Sequence, residues 1–344
     1  FNITINPEGQ VNDPADMIIC NGTVQNVVFT TVNTNGLTTF SWTNTNTAIG
    51  LGTDGTGPLT FTATNTGTSP ITATITVSPS FNNGSVDCPG PSQTFTITVN
   101  PTPSLSSPLT IPDICSNSTV TYNPTSSTSG TTFSWTRGVV AGITPVGPTS
   151  GSGNPNETLR NFTNIPIGVT YQYTLTANGC SNIQNVFVNV KPEPVIEPDQ
   201  TADVCSDNAV NHLINLVNFS NPSDNVTFTW PAPVLSPVNP AFTGGTARTS
   251  ASIQNISDVF TNRTGLTGTA TYTVTPYRDG CAGVPETIVI VVRPEPILDP
   301  DLNRTVCSNT TIGLILREAA GSIGIGYYNI SDVWLDDGLS ADPL

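Results

Sequence analysis

The stretch VTYQYTLTANGC, residues 169–180, decides the fold. Val169, Tyr171, Tyr173 and Leu175 alternate with hydroxyl and amide side chains, the period of a strand with one face in a core and the other in water. Cys180 follows, in the hairpin loop ahead of another alternating run, Val186 to Val190. The same arrangement occurs twice more: Ile71, Ala73, Ile75 and Val77 precede Cys88, and Ala270, Tyr272 and Val274 precede Cys281. Working outward, each copy has an earlier cysteine, an aromatic-Ser/Thr-Trp strand and a closing Pro-x-Pro. The first runs Cys20, Phe40-Ser41-Trp42, Cys88, Thr94 to Val99, Pro101-Thr102-Pro103. The second runs Cys115, Phe133-Ser134-Trp135, Cys180, Val186 to Val190, Pro192-Glu193-Pro194. The third runs Cys205, Phe228-Thr229-Trp230, Cys281, Ile288 to Val292, Pro294-Glu295-Pro296, and a fourth opens with Cys307 and Trp334.

The opening cysteines are 95, 90 and 102 residues apart, one sandwich-sized domain per repeat. Pro7 aligns with Pro101, Pro192 and Pro294, which puts Phe1, Ile3 and Ile5 where Phe95, Ile97 and Val99 fall. The expected organisation is all-β: tandem immunoglobulin-like sandwiches, end to end. Residues 1–7 are read as the last strand of a preceding copy. Repeats one to three occupy 8–101, 102–192 and 193–294, and 295–344 begins a fourth. Leu213 to Val217 and Ile312 to Ala320 are the only short helix candidates.

Composition agrees with thin cores in a many-stranded chain. Hydrophobic residues are 36% of 344, charged residues only 10%, and 30 prolines and 29 glycines mark turns. A net charge of −15 argues against nucleic acid or anionic membrane as a partner. No apolar run reaches the roughly 18 residues of a membrane helix. Sequons such as Asn21, Asn117, Asn156, Asn225 and Asn309 arise by chance in an Asn/Ser/Thr-rich chain and carry no weight.

Seven cysteines without CxxC spacing point to disulfides made in an oxidising, extracellular compartment. Two disulfide schemes are open, with free thiols as the remaining reading. One joins Cys20 to Cys88, Cys115 to Cys180 and Cys205 to Cys281 within repeats. The other joins neighbours, Cys20 to Cys180 and Cys115 to Cys281. In an immunoglobulin-type topology the two cysteines of one repeat lie at opposite poles, roughly 20 Å or more apart, whereas a disulfide needs Cα atoms within about 7 Å. In a head-to-tail array, the bottom pole of one domain meets the top of the next. Stiff Pro-x-Pro joints suit a semi-rigid rod.

Trp42, Trp135 and Trp230 are read as core aromatics filling the space between sheets, with sugar stacking as the sharper alternative. No catalytic or cofactor-binding residues emerge. His212 is the only histidine, and Asp336-Asp337 are adjacent rather than paired across a cleft. Gly50 to Gly57 lacks the Lys and helix of a phosphate loop. Asp199, Asp203 and Asp207, with Asp299 and Asp301, lie near repeat borders and are candidate calcium ligands, although they lack the spacing of a dedicated loop.

The segments Ile114-Cys115-Ser116-Asn117-Ser118 and Val204-Cys205-Ser206-Asp207, Tyr272-Thr273-Val274-Thr275-Pro276 with Gly280-Cys281, and Val292-Arg293-Pro294-Glu295-Pro296 together resemble the PKD-like (polycystic-kidney-disease-like) repeats of giant Bacteroidota surface adhesins of the gliding-motility type, exported by the type IX system. The first repeat departs most, with Pro101-Thr102-Pro103 for Pro-Glu-Pro and Asn-Gly after Cys20. The resemblance implies secretion to the cell surface, a non-enzymatic stalk or adhesive role, and neighbouring repeats as partners. A carbohydrate-binding module on the Gly138–Asn156 or Ala232–Ser250 loops is the alternative, surface polysaccharide being its ligand. A filament subunit in which Phe1 to Asn6 completes another chain's sheet is a third reading.

Overall fold

The structure is a computed structural model that describes residues 1, 5–84, 86–147, 149–219, 225–249, 254–307, 310–331 and 334. Ile3, Asn309, Ser250 and Asp336-Asp337 lie outside them. The chain forms two compact units, Phe1–Arg160 with Ile167–Val190, and Asn161–Pro166 with Lys191–Leu344.

The first unit holds two separate cores. Around the first lie β1 (Met17–Cys20), β2 (Val24–Val27), β3 (Leu37–Asn44), β4 (Asp54–Thr56), β5 (Leu59–Thr62), β6 (Ile71–Asn82), β7 (Asp87–Pro89) and β8 (Gln93–Asn100). The main sheet runs β1-β8-β6-β3-β4, with β7 on β6, while β2 and β5 form a small second sheet. Strand β6 reads ITATITVSPSFN, and its apolar members Ala73, Ile75 and Val77 are buried against Leu59 and Phe61 of the small sheet. Its threonines face outward beside those of β8, as in the Thr72–Thr98 hydroxyl pair at 2.9 Å. The period of two therefore assigns each face before any tertiary contact forms.

The second core is enclosed by β9 (Ile114–Cys115), β10 (Ser118–Thr119), β11 (Thr132–Arg137), β12 (Ile143–Thr144), β13 (Thr149–Ser152), β14 (Thr158–Asn161), β15 (Ile167–Ala177) and β16 (Cys180–Lys191). A five-stranded sheet, β13-β11-β15-β16-β9, is joined through the core by β10-β14-β12. The long β15–β16 hairpin pairs Ile167 with Val190 through Ala177 with Cys180. Its two-residue turn, Asn178-Gly179, has φ of 51° and 78°, the left-handed pair whose twist matches flanking strands.

The second unit contains β17 (Thr201–Cys205), β18 (His212–Leu213), β19 (Thr227–Thr229), β20 (Val234–Ser236), β21 (Phe242–Gly244), β22 (Asn255–Ile256), β23 (Phe260–Asn262), β24 (Gly268–Arg278), β25 (Cys281–Ala282) and β26 (Glu286–Arg293). Its main sheet is β17-β26-β24-β19, with β20 and β25 on β24 and the pairs β18–β22 and β21–β23 completing the sandwich. Trp42, Trp135 and Trp230 are buried one per core. Trp135 lies against Gly151, where an added Cβ would come within 2.8 Å of the indole.

The two expected helices are absent. Among the described residues the one helical element is a 3-10 turn at Thr47–Ile49. Residues 212–217 bury Ile214 and half-bury His212 and Leu216 while Leu213 and Val217 stay exposed, a period-two pattern, and Leu216 bridges Ile196. Along 312–320 almost every residue is exposed, so a helix there would have no buried face to stabilise it.

Candidate functional site: a disulfide-stapled junction

Cys20 is the last residue of β1, and β1 lies parallel to β8 with Cys20 opposite Asn100. Cys88 lies far along the same sheet, because it faces Phe81 of β6 while Val99 faces Ile71. Ten residues of strand separate those positions, roughly 30 Å at the β rise, which no disulfide spans. Cys20 is bonded instead to Cys180, with Cα atoms 5.7 Å apart and a sequence separation of 160. A strand end of the first repeat is thereby fastened to the hairpin of the second.

Polar contacts flank that bond. Asn100, almost wholly buried, donates its Nδ2 to the carbonyl of Asn178 in the hairpin turn at 2.7 Å. Its own carbonyl takes the Asn21 amide at 2.9 Å. Asn21 donates Nδ2 to Thr102 Oγ1 and accepts the Asn65 amide at Oδ1, while Asn65 donates Nδ2 to the Val99 carbonyl. On the other side, Asn182 donates to the Pro103 carbonyl at 2.9 Å and the Leu105 amide donates to Gln184 Oε1 at 2.6 Å. Pro101 and Pro103 are buried between these contacts. The joint combines two fixed φ angles, one covalent bond and a set of direct hydrogen bonds.

The other cysteines fall into two groups. Cys115, which ends β9, and Cys281, which opens β25, are each disulfide-bonded. Cys88, Cys205 and Cys307 are thiols, Cys88 half-buried and the others exposed. Three of the five candidate calcium carboxylates have protein partners: Asp203 takes a bidentate pair from Arg293, Asp299 pairs with Arg317 at 2.5 Å, and Asp207 accepts from Thr261. Among the described residues no group of three or more His, Cys, Asp or Glu side chains converges. His212 is half-buried with Nε2 3.2 Å from Gln200 Oε1, and burial lowers its pKa. Of the loops considered for sugar binding, Gly138–Asn156 carries β12 and β13 and Ala232–Ser250 carries β20 and β21. Phe242, the aromatic in the second, is buried in the core rather than presented to solvent.

The second core contains a charged network that no motif flagged. Arg137, with a fully buried side chain, makes a bidentate pair with Glu157 (Nε–Oε2 3.0 Å, Nη2–Oε1 3.2 Å) and donates to the carbonyls of Gly138 and Pro145. Tyr171 donates its hydroxyl to Glu157 at 2.7 Å. Burial alone would raise the Glu157 pKa, but the hydrogen bonds from Arg137 and Tyr171 and the guanidinium charge outweigh it and hold the carboxyl below its ordinary value. Burial and Glu157 push the Tyr171 hydroxyl above the ordinary tyrosine range. In the third repeat Tyr272 donates to Asp258 at 2.5 Å. Ile75 and Asn44 face each other where the second repeat pairs Tyr171 with Arg137. These groups tie neighbouring segments of each sandwich together.

Residues 202–296 match the PKD-like domain family. No curated protein matches the chain in sequence. Similar solved structures include the I-band fragment I67–I69 of titin (10% identity, 82% of this chain and 96% of that one, TM-score 0.38). Mouse cadherin-23 EC22–24 is another (14% identity, 84% and 99%, TM-score 0.29), as is the human desmocollin-1 ectodomain (11%, 91% and 67%, TM-score 0.27).

Proposed function

We propose that this chain is a force-transmitting spacer and adhesion segment of a secreted cell-surface protein. Its sandwich repeats occupy 8–101, 102–192 and 193–294, with 1–7 and 295–344 belonging to flanking copies. The observation that carries this reading is the Cys20–Cys180 bond, because it fastens a strand end in one repeat to a hairpin in the next. Cys115 and Cys281 hold the same places one repeat along, at a strand end and after a two-residue turn, so the same rule pairs them. Tension arriving at one repeat then passes to the next through a covalent bond as well as through the Pro-x-Pro joint. Hydroxyl-rich faces keep the sandwiches hydrated with few charges, and disulfides suit an extracellular site. The PKD-like match at 202–296 and the Cys-Ser and Pro-Glu-Pro motifs support a surface adhesin of the Bacteroidota gliding-motility type, exported by the type IX route, with neighbouring repeats as its primary partners.

Peptide mapping of the non-reduced protein tests the reading. Cross-linked peptides Cys20–Cys180 and Cys115–Cys281 are expected. Cys20–Cys88 or Cys115–Cys180 peptides would overturn the covalent coupling of neighbours.

A further inference from the structure

Each sandwich has the same gap beside its leading segment, and two of the three repeats fill it. Ahead of β1, β9 and β17 the chain touches the second sheet at one point: the amides of Asn12, Ser106 and Glu197 donate to the carbonyls of Thr30, Thr125 and Asn215 at 2.8, 2.8 and 3.0 Å. Those three acceptors each lie ten residues past the opening cysteine. A proline follows the contact in every copy (Pro14, Pro108, Pro198), and the chain crosses to the main sheet. The amide of the acceptor residue is thereby left facing a gap. In the third repeat the buried Gln200 side chain fills it. Its Nε2 donates to the carbonyls of Glu197 and Asn215, both at 2.9 Å, and its Oε1 accepts the Asn215 amide at 2.9 Å and lies 3.2 Å from His212 Nε2. In the second repeat Ser107 Oγ accepts the Thr125 amide at 3.2 Å and lies 2.6 Å from the Tyr122 hydroxyl. The first repeat has Ala15 in the place of Gln200, five residues before the cysteine, and Val27 in the place of Tyr122 and His212, seven residues after it. There the gap is an open cleft of about 440 Å³, lined by Asn12, Ala15, Met17, Val27, Val28 and Thr30 among others. Among the described residues nothing accepts the Thr30 amide. One backbone bond differs as well: the Thr96 amide goes to Asp16 Oδ1 at 2.6 Å, where the Val289 amide goes to the Gln200 carbonyl at 3.1 Å.

We propose that this cleft is a binding site for a primary carboxamide, the glutamine side chain of an extended segment of a partner protein. The third repeat supplies the template, because Gln200 shows how one carboxamide serves both the amide and the carbonyl of this edge residue. In the first repeat the incoming oxygen accepts the Thr30 amide, and the nitrogen donates to the Thr30 and Asn12 carbonyls. A carboxylate is a poor substitute: it has no N–H to donate, and Asp13 lines the cleft with Asp16 beside it. The acetamido group of an amino sugar carries one N–H, whereas Gln200 uses two. The methylene stem of the ligand lies against Met17 and Val28. The site stands apart from the disulfide junction and does not depend on it.

The test is an amide NMR titration of the full chain with the blocked tripeptide acetyl-Ala-Gln-Ala-N-methylamide, its Glu and Leu counterparts, and N-acetylglucosamine. The Gln peptide should shift the Thr30 amide saturably in the millimolar range, and the other three at least about tenfold more weakly. Ala15→Gln should close the cleft from within, abolishing the peptide response and slowing hydrogen exchange of the Thr30 amide about tenfold. Gln200→Ala applies the same rule without touching the first repeat: it should free the Asn215 amide and give the Gln peptide a second site reported there. A Thr30 amide that does not respond, an equal response to the Glu or Leu peptide, or Ala15→Gln protein that still binds would overturn the proposal. N-acetylglucosamine binding as tightly as the Gln peptide, or an Asn215 amide silent in Gln200→Ala, would overturn it too.

Discussion

Removing the staple by Cys20→Ala should destabilise two repeats and leave the third untouched. With the first repeat folded, Asn100 and Cys20 are neighbours across β1 and β8. An unfolded second repeat is then a closed loop of roughly 80 residues between Asn100 and Cys180, for which the chain-entropy relation gives about 4.5 kcal/mol at 25 °C. Unfolding the first repeat with the second intact gives nearly the same loop, from Cys20 to the Pro101-Thr102-Pro103 joint. Because measured disulfide contributions typically fall at about 2–4 kcal/mol, the expected loss in each repeat is about 2–4.5 kcal/mol. Native-state hydrogen exchange reads it separately, from amides of β6 and β8 and from those of β15 and β16, with β24 and β26 as the internal control. Cys180→Ala should cost the same, and the double variant no more than either single. A loss below about 1 kcal/mol in both repeats, or additive losses in the double variant, would refute the reasoning.

Glu157→Ala leaves the Arg137 guanidinium buried without its carboxylate and should cost the second repeat about 3–5 kcal/mol in chemical denaturation. Since the fold holds the Glu157 carboxyl below its ordinary pKa, its stabilisation is complete above about pH 4.3 and disappears as pH falls through the lowered value. Glu157→Gln should therefore flatten the acid limb of second-repeat unfolding and leave the third repeat's limb unchanged. Gly151→Ala pushes a methyl into the Trp135 indole and should cost about 1–3 kcal/mol with altered tryptophan emission. Asn262→Ala removes the donor shared by the Leu266 and Val292 carbonyls and should lower third-repeat stability by about 1–3 kcal/mol, measured by hydrogen exchange in β26.

The strands were legible because alternation is a local property: VTYQYTLTANGC specifies a face and a hairpin without reference to the rest of the chain. The sandwich class followed from three copies of that pattern. Cysteine pairing was different, since both schemes satisfy the spacing equally and only the register along β6 separates Cys88 from Cys20 by the length of a sheet. The run Leu213 to Val217 was misread as helix because a five-residue segment fits either period, and its burial alternates, with Ile214 buried and Leu216 half-buried, whereas Ile312 to Ala320 has no buried face. The Arg137–Glu157–Tyr171 network was not legible because its members lie far apart in sequence, Arg137 on β11, Tyr171 on β15 and Glu157 just ahead of β14, and the asparagines at the joint looked like ordinary turn residues.

The central claim, that tension crosses the first junction through a covalent staple, is tested most directly by single-molecule stretching of the chain from its ends with and without reductant. The segment between Cys20 and Cys180, a sequence separation of 160, should withhold on the order of 500 Å of extension until reductant is added, then release it. Identical full contour lengths under oxidising and reducing conditions would contradict the account.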